Sequence, residues 1–315
     1  MSDFLIKQTD AREPLLPVFS DIANPIGLNG IEFIEYSTAR PQALGQVLEM
    51  MGFHPVARHR SREVQLYRQG DINIVVNAHE ASQAPGPLSA GLAGDERTPT
   101  RIAAIAFRVR DARAAFESVI DKGAWAINTH PQVMELNIPA IHGAGGSRIY
   151  FVDRYKEFSI YDVDFVPIPG VNQRPPATAG MHFFGIVQYI GADRCNDWIT
   201  FYQSLMGAQP IPQDQRFGIL PQGTLIQFPA VDPGARFMMQ LVEPNVNVMD
   251  GREYLQRIGL GAPAVMAAVK ILRDQHVEFI ETPATHTDSR GAITKTYEQA
   301  VVFELVQSSR EAPTP

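Results

Sequence analysis

Gly30-Ile-Glu-Phe-Ile-Glu-Tyr36 is a short apolar run of strand character, and Gly180-Met-His-Phe-Phe-Gly-Ile-Val187 repeats it in the second half of the chain. Each run leads into a stretch of helical spacing that stops at a glycine. The first reaches Met51 before Gly52; the second runs from Cys195 to Met206 before Gly207, with Trp198, Phe201, Tyr202 and Leu205 at helical intervals. Aligned on these features, Glu32 falls on His182.

The repetition continues outward. Ile102 to Val109 and a helix over Ala112 to Lys122 match Leu255 to Gly261 and a helix over Pro263 to Gln275. Ile105 then falls on Ile258, Phe107 on Leu260 and Gly123 on His276. Further strand-like runs are Glu63–Tyr67, Ile72–Val76, Ser147–Val152, Phe158–Asp164, Leu225–Phe228 and Phe237–Val242. The unit is one strand, one helix and about three strands, and it occurs four times. This predicts an α+β fold of four βαβββ modules, paired into two incomplete-barrel halves. The division falls at Pro167 to Gly180, where four prolines and two glycines interrupt the apolar pattern. The expected halves are residues 22–166 and 181–308, joined by a linker over 167–180. A polar stretch from His79 to Thr100 reads as a long surface connection within the first half.

Composition narrows the function. With 27 basic and 34 acidic residues, net −7, the chain offers no basic block to neutralise phosphates, which speaks against nucleic acid. Cys195 is the only cysteine, so neither an intrachain disulfide nor a thiolate metal cluster can form, and a reducing, cytoplasmic setting is expected. Charges scattered through Met1 to Asp21 speak against a secretory signal, and the apolar run Ala262–Val269 is too short to span a bilayer. His54, His59, His79, His130 and His142 show no site-like spacing, and Arg58-His-Arg-Ser-Arg62 reads as a solvated loop or strand edge.

Several motifs resemble the 4-hydroxyphenylpyruvate dioxygenase family of the vicinal-oxygen-chelate superfamily. They are Gly30 to Tyr36, Met51-Gly-Phe53, Arg58-His-Arg-Ser61, Leu66-Tyr-Arg-Gln-Gly-Asp-Ile-Asn73, Ala106-Phe-Arg-Val109, Met134-Glu-Leu-Asn-Ile-Pro-Ala-Ile141 and Ser159-Ile-Tyr-Asp-Val-Asp-Phe165. They cover most of the first half. The resemblance implies a glyoxalase-like fold, a homodimer, and a non-haem Fe(II) dioxygenase acting on a small aromatic 2-oxo acid. It places the iron in the second half, on two histidines and a glutamate that leave positions open for substrate and dioxygen.

Carried onto this chain, the first histidine is His182 and the glutamate is Glu304, within Phe303-Glu-Leu-Val-Gln307. The second histidine position holds Arg257, in the frame Gln256-Arg257-Ile258. A guanidinium stays protonated and offers no lone pair to a metal. Replacement ligands would have to come from His276 or His286. Otherwise Arg257 either pairs with Glu304 or grips the carboxylate of an organic acid, with His182 left as a general base. These last readings describe a metal-independent enzyme or a non-catalytic binding protein on the same scaffold.

Overall fold

The computed structural model describes residues 24–78, 100–128, 136–212, 218, 223–244 and 252–309. Apart from Thr100, the connection expected over His79–Thr100 lies outside them, as does His130. The first module is β1 (Leu28–Ser37), α1 (Pro41–Met50), β2 (His54–His59), β3 (Val64–Gln69) and β4 (Ile72–Asn77). Pro41 opens α1 where its missing N–H has no helical partner to lose. The second is β5 (Arg101–Val109), α2 (Ala112–Asp121), β6 (Ala140–His142), β7 (Arg148–Val152), α3 (Ile160–Asp164) and β8 (Phe165–Pro167). Asp111 caps α2 by accepting the Ala114 N–H at 2.8 Å.

The second half repeats the plan with β9 (His182–Tyr189), α4 (Cys195–Met206), β10 (Gln209–Pro210), β11 (Thr224–Phe228) and β12 (Phe237–Val242). β13 (Tyr254–Ala262), α5 (Val265–Asp274), β14 (Gly291–Ile293) and β15 (Phe303–Gln307) complete it. In this last module one strand is reduced to the isolated bridge Phe279–Thr294.

Two sheets result, in the orders β6-β7-β5-β1-β4-β3-β2-β8 and β10-β11-β12-β9-β13-β15-β14. In each, the leading strands of two modules meet antiparallel at the centre, β1 on β5 and β9 on β13. The four-module α+β plan is therefore the observed one. Helices cover one side of each sheet: Val265, Ala268, Val269 and Leu272 of α5 share a core with Phe303 and Leu305. Glu304 alternates with these two residues and so projects to the opposite, concave side.

One expected strand is absent. Phe158–Asp164 reads as alternating, yet Ile160–Asp164 is a helical turn. Asp162 accepts both the Ser159 N–H at 2.7 Å and its hydroxyl at 2.9 Å, a local capping bond that competes with strand pairing. The consequence is topological. β7 lies near one edge of the first sheet and β8 forms the other, so α3 crosses the open mouth of the half-barrel. Ile160, Tyr161 and Phe165 thereby pack on the concave residues Phe33, Leu66, Val75 and Ala106.

The segment 167–180 is laid along the first half. Val56 O accepts the Ile168 N–H at 2.8 Å, Pro175 O accepts the Gly70 N–H at 2.9 Å, and Gln69 Oε1 accepts the Thr178 N–H at 2.9 Å. Arg58 and His59 belong to β2, between β3 and β8; Arg58 keeps an exposed side chain.

Candidate active site in the second half

The site is set by strand register. On β13, Gly259 pairs with Gly185 of β9 on one side and with Glu304 of β15 on the other. Two residues away along β13, Gly261 is opposite His182; two residues the other way stands Arg257. Residues two apart share a face, so Arg257, Gly259 and Gly261 line one face of β13, with Glu304 beside Gly259 and His182 beside Gly261. A concave space of about 30 Å³ lies beside Glu304 and Gly259, bordered by Phe184, Val187, Leu225, Met238 and Gln240. That is roughly the volume of one water.

Arg257 and Glu304 are both buried and joined, Arg257 Nε donating to Glu304 Oε2 at 2.7 Å. The rest of the guanidinium is also engaged: Nη1 donates to Gln256 Oε1 at 2.9 Å and Nη2 to Gln240 Oε1 at 3.4 Å. His182 is 8% exposed, with Nε2 3.1 Å from the Ser308 hydroxyl. Its ring lies over Gly261, where an added Cβ would come within 2.3 Å of Nε2. A glycine is needed at 261 because the histidine occupies the space of its side chain.

The structure thus joins two of the five residues singled out from the sequence, Arg257 and Glu304, and sets His182 further along the sheet, against Gly261 and Ser308. His276 follows α5 at a φ of 69°, as Gly123 follows α2 at 95°, so the internal repeat aligned them correctly. It is exposed, in the turn that ends a helix packed on the side of the sheet opposite Glu304. His286 is exposed in the loop before β14. No three His, Cys, Asp or Glu side chains converge among the described residues. With Arg257 in the second-histidine position and bonded to Glu304, the described residues do not fit a three-ligand metal centre.

Sequence reading did not find Ser308, Gln240 or the glycine floor. The signal for the glycines was present in Ile258-Gly-Leu-Gly261, where two glycines two residues apart bare one face of a strand.

Paired βαβββ modules with a concave site beside the central strands define a vicinal-oxygen-chelate protein. Residues 22–166 match the family described as "Hydroxyphenylpyruvate dioxygenase, HPPD, N-terminal". The 4-hydroxyphenylpyruvate dioxygenase of Pseudomonas aeruginosa is 32% identical, over 84% of this chain and 74% of that protein. A protein named Hemolysin VllY from Vibrio vulnificus is 34% identical over 85% of this chain and 76% of its own length. A mutant of 4-hydroxymandelate synthase from Streptomyces coelicolor superposes with a TM-score of 0.65 at 17% identity, covering 90% of this chain and 93% of that one. The chain belongs to the 4-hydroxyphenylpyruvate dioxygenase family, an enzyme family of dioxygenase type. Among the described residues no helix is long and apolar enough to cross a membrane.

Proposed function

We propose that this chain takes a small aromatic 2-oxo acid on the concave face of its second half and grips the acid's carboxylate with Arg257. The observation carrying this reading is the Arg257–Glu304 contact: the guanidinium is buried on that face and already bonded to a carboxylate at 2.7 Å. An acid offers the same group, and while Nε stays on Glu304 the Nη1 and Nη2 donors can pass from Gln256 and Gln240 to a second carboxylate. The hollow beside Glu304 has room for little more than water, so occupancy is coupled to movement of the side chains that border it. The acid's class comes from the relatives, one of which is named for 4-hydroxyphenylpyruvate. In this reading His182, buried beside Ser308, takes or returns a proton.

The test is titration of metal-stripped protein with 4-hydroxyphenylpyruvate, followed by calorimetry. Binding without metal is expected. It should weaken at least about tenfold in the double variant Arg257→Met/Glu304→Leu, which removes the charged pair but keeps the volume filled. Binding that requires Fe(II) would overturn the proposal.

A second reading, an iron-dependent dioxygenase, is favoured by His182 and Glu304 standing on the two strands that flank β13. It belongs with a cytoplasmic homodimer, as the family resemblance implies, and light scattering checks the dimer. Anaerobic Fe(II) loading separates the two readings. Uptake far below stoichiometric in the native chain, with uptake restored by Arg257→His, is the outcome expected here. Stoichiometric iron in the native chain together with oxygen consumption on 4-hydroxyphenylpyruvate favours the second reading.

A further inference from the structure

A large concave space lies in the first half, where it amounts to about 850 Å³. Its inner wall carries charge. Glu32, 3% exposed, accepts Arg108 Nε at 2.5 Å, and its backbone carbonyl accepts Asn73 Nδ2 at 2.9 Å. Arg68 donates Nε to Asn73 Oδ1 at 2.7 Å and Nη1 to Gln173 O at 2.8 Å, which ties the wall to the segment following β8. Both guanidiniums lie over aromatic rings, Arg68 5.3 Å from the centre of Tyr161 and Arg108 5.6 Å from that of Tyr155.

Tyr161, 8% exposed, reaches this wall from α3. Its hydroxyl faces Glu32 and helps to lower that carboxyl, yet meets no described residue at full hydrogen-bond distance and angle. A buried hydroxyl without a partner costs free energy unless something else bonds it. Over the inner wall, two guanidiniums face one carboxylate. Asp71 acts on Arg108 from the exposed rim, where water screens it. Burial raises the Glu32 carboxyl above its ordinary value, with Arg108 opposing that rise. Ala57, Leu66 and Pro167 give the remaining wall an apolar stretch.

We propose that this cavity is a second ligand site, for a small organic monocarboxylate bearing an apolar or aromatic body. The carboxylate lies between Arg68 and Arg108 and accepts the Tyr161 hydroxyl; the body rests on Ala57, Leu66 and Pro167. The site is independent of the second half and of the chemistry assigned there. Its position under α3 follows from the capping bond that turns this segment helical, so the cavity and the Tyr161 side chain that lines it have one structural origin.

Calorimetric titration of the whole chain with 4-hydroxyphenylacetate tests this. The native protein should bind it, and Tyr161→Phe should bind roughly tenfold more weakly, the loss of one hydrogen bond to a charged group. Because the hydroxyl has no protein partner, Tyr161→Phe should unfold no earlier than the native chain, which separates lost binding from lost structure. Arg68→Gln is the second variant and should weaken binding similarly. The Arg257→Met/Glu304→Leu variant should retain the binding event that Tyr161→Phe and Arg68→Gln weaken. The proposal is overturned if the native chain does not bind the acid, if Tyr161→Phe and Arg68→Gln bind it unchanged, or if only the second-half variant loses it.

Discussion

Arg257 and Glu304 show how one substituted residue changes a site. Two opposite charges are buried next to a glycine floor, and each is tolerable only because the other is 2.7 Å away. Removing one should therefore be worse than removing both. Arg257→Met leaves Glu304 buried and unmatched, and is expected to cost about 3–5 kcal/mol, whereas Arg257→Met/Glu304→Leu should recover most of that loss. Denaturant midpoints of Arg257→Met, Glu304→Leu and the double variant check this; equal losses in Arg257→Met and in the double variant would show that the pair is not coupled. The same device recurs in the first half, where Arg108 neutralises Glu32 and Arg148 donates to Glu35 at 3.0 Å. Buried carboxylates on both concave faces are held by arginine, and in the second half that arginine stands where the family resemblance places a histidine.

At the scale of elements, α3 decides the shape of the first half. Its Ser159–Asp162 bonds hold a single helical turn across the mouth of the sheet. Asp162→Ala should cost about 1 kcal/mol, the usual value of a lost helix cap, and should loosen Tyr161 over the cavity. A fall in the thermal midpoint together with faster amide exchange at Tyr161 would show both effects; unchanged exchange would mean the turn is held by the packing of Ile160 and Phe165 alone. This element also marks what the sequence could not disclose. The strand–helix repeats were legible because apolar periodicity and the stops at Gly52 and Gly207 are local signals. The alternation in Phe158–Asp164 pointed to a strand, and a side-chain bond spanning three residues overrode it. In the site, His182, Arg257 and Glu304 were legible from motif frames. Ser308 beneath His182 and Gln240 beside Arg257 were not, because they arrive through register between strands distant in sequence.

At the scale of the molecule, the sequence divides at 167–180 but the apolar core does not. Phe228 of the second half stacks on Phe237 with ring centres 4.5 Å apart, and Phe107 of the first half meets both, at 5.8 and 5.4 Å. Phe53 likewise approaches Phe303 across the division, with centres 6.3 Å apart. A core shared in this way couples the halves, because neither can lose its sheet without exposing the rings of the other. The chain should therefore unfold in one transition. It has two tryptophans that report on separate halves, Trp125, 79% exposed, and the buried Trp198. Their fluorescence and the far-ultraviolet circular dichroism should trace coincident denaturant curves. Phe228→Ala sharpens the test: deleting a fully buried ring is expected to cost about 3–5 kcal/mol. In a coupled molecule the variant moves the whole curve to lower denaturant while the signals stay superimposed. Were the halves independent, the variant would displace only the part reported by Trp198, and the appearance of two transitions would refute a shared core.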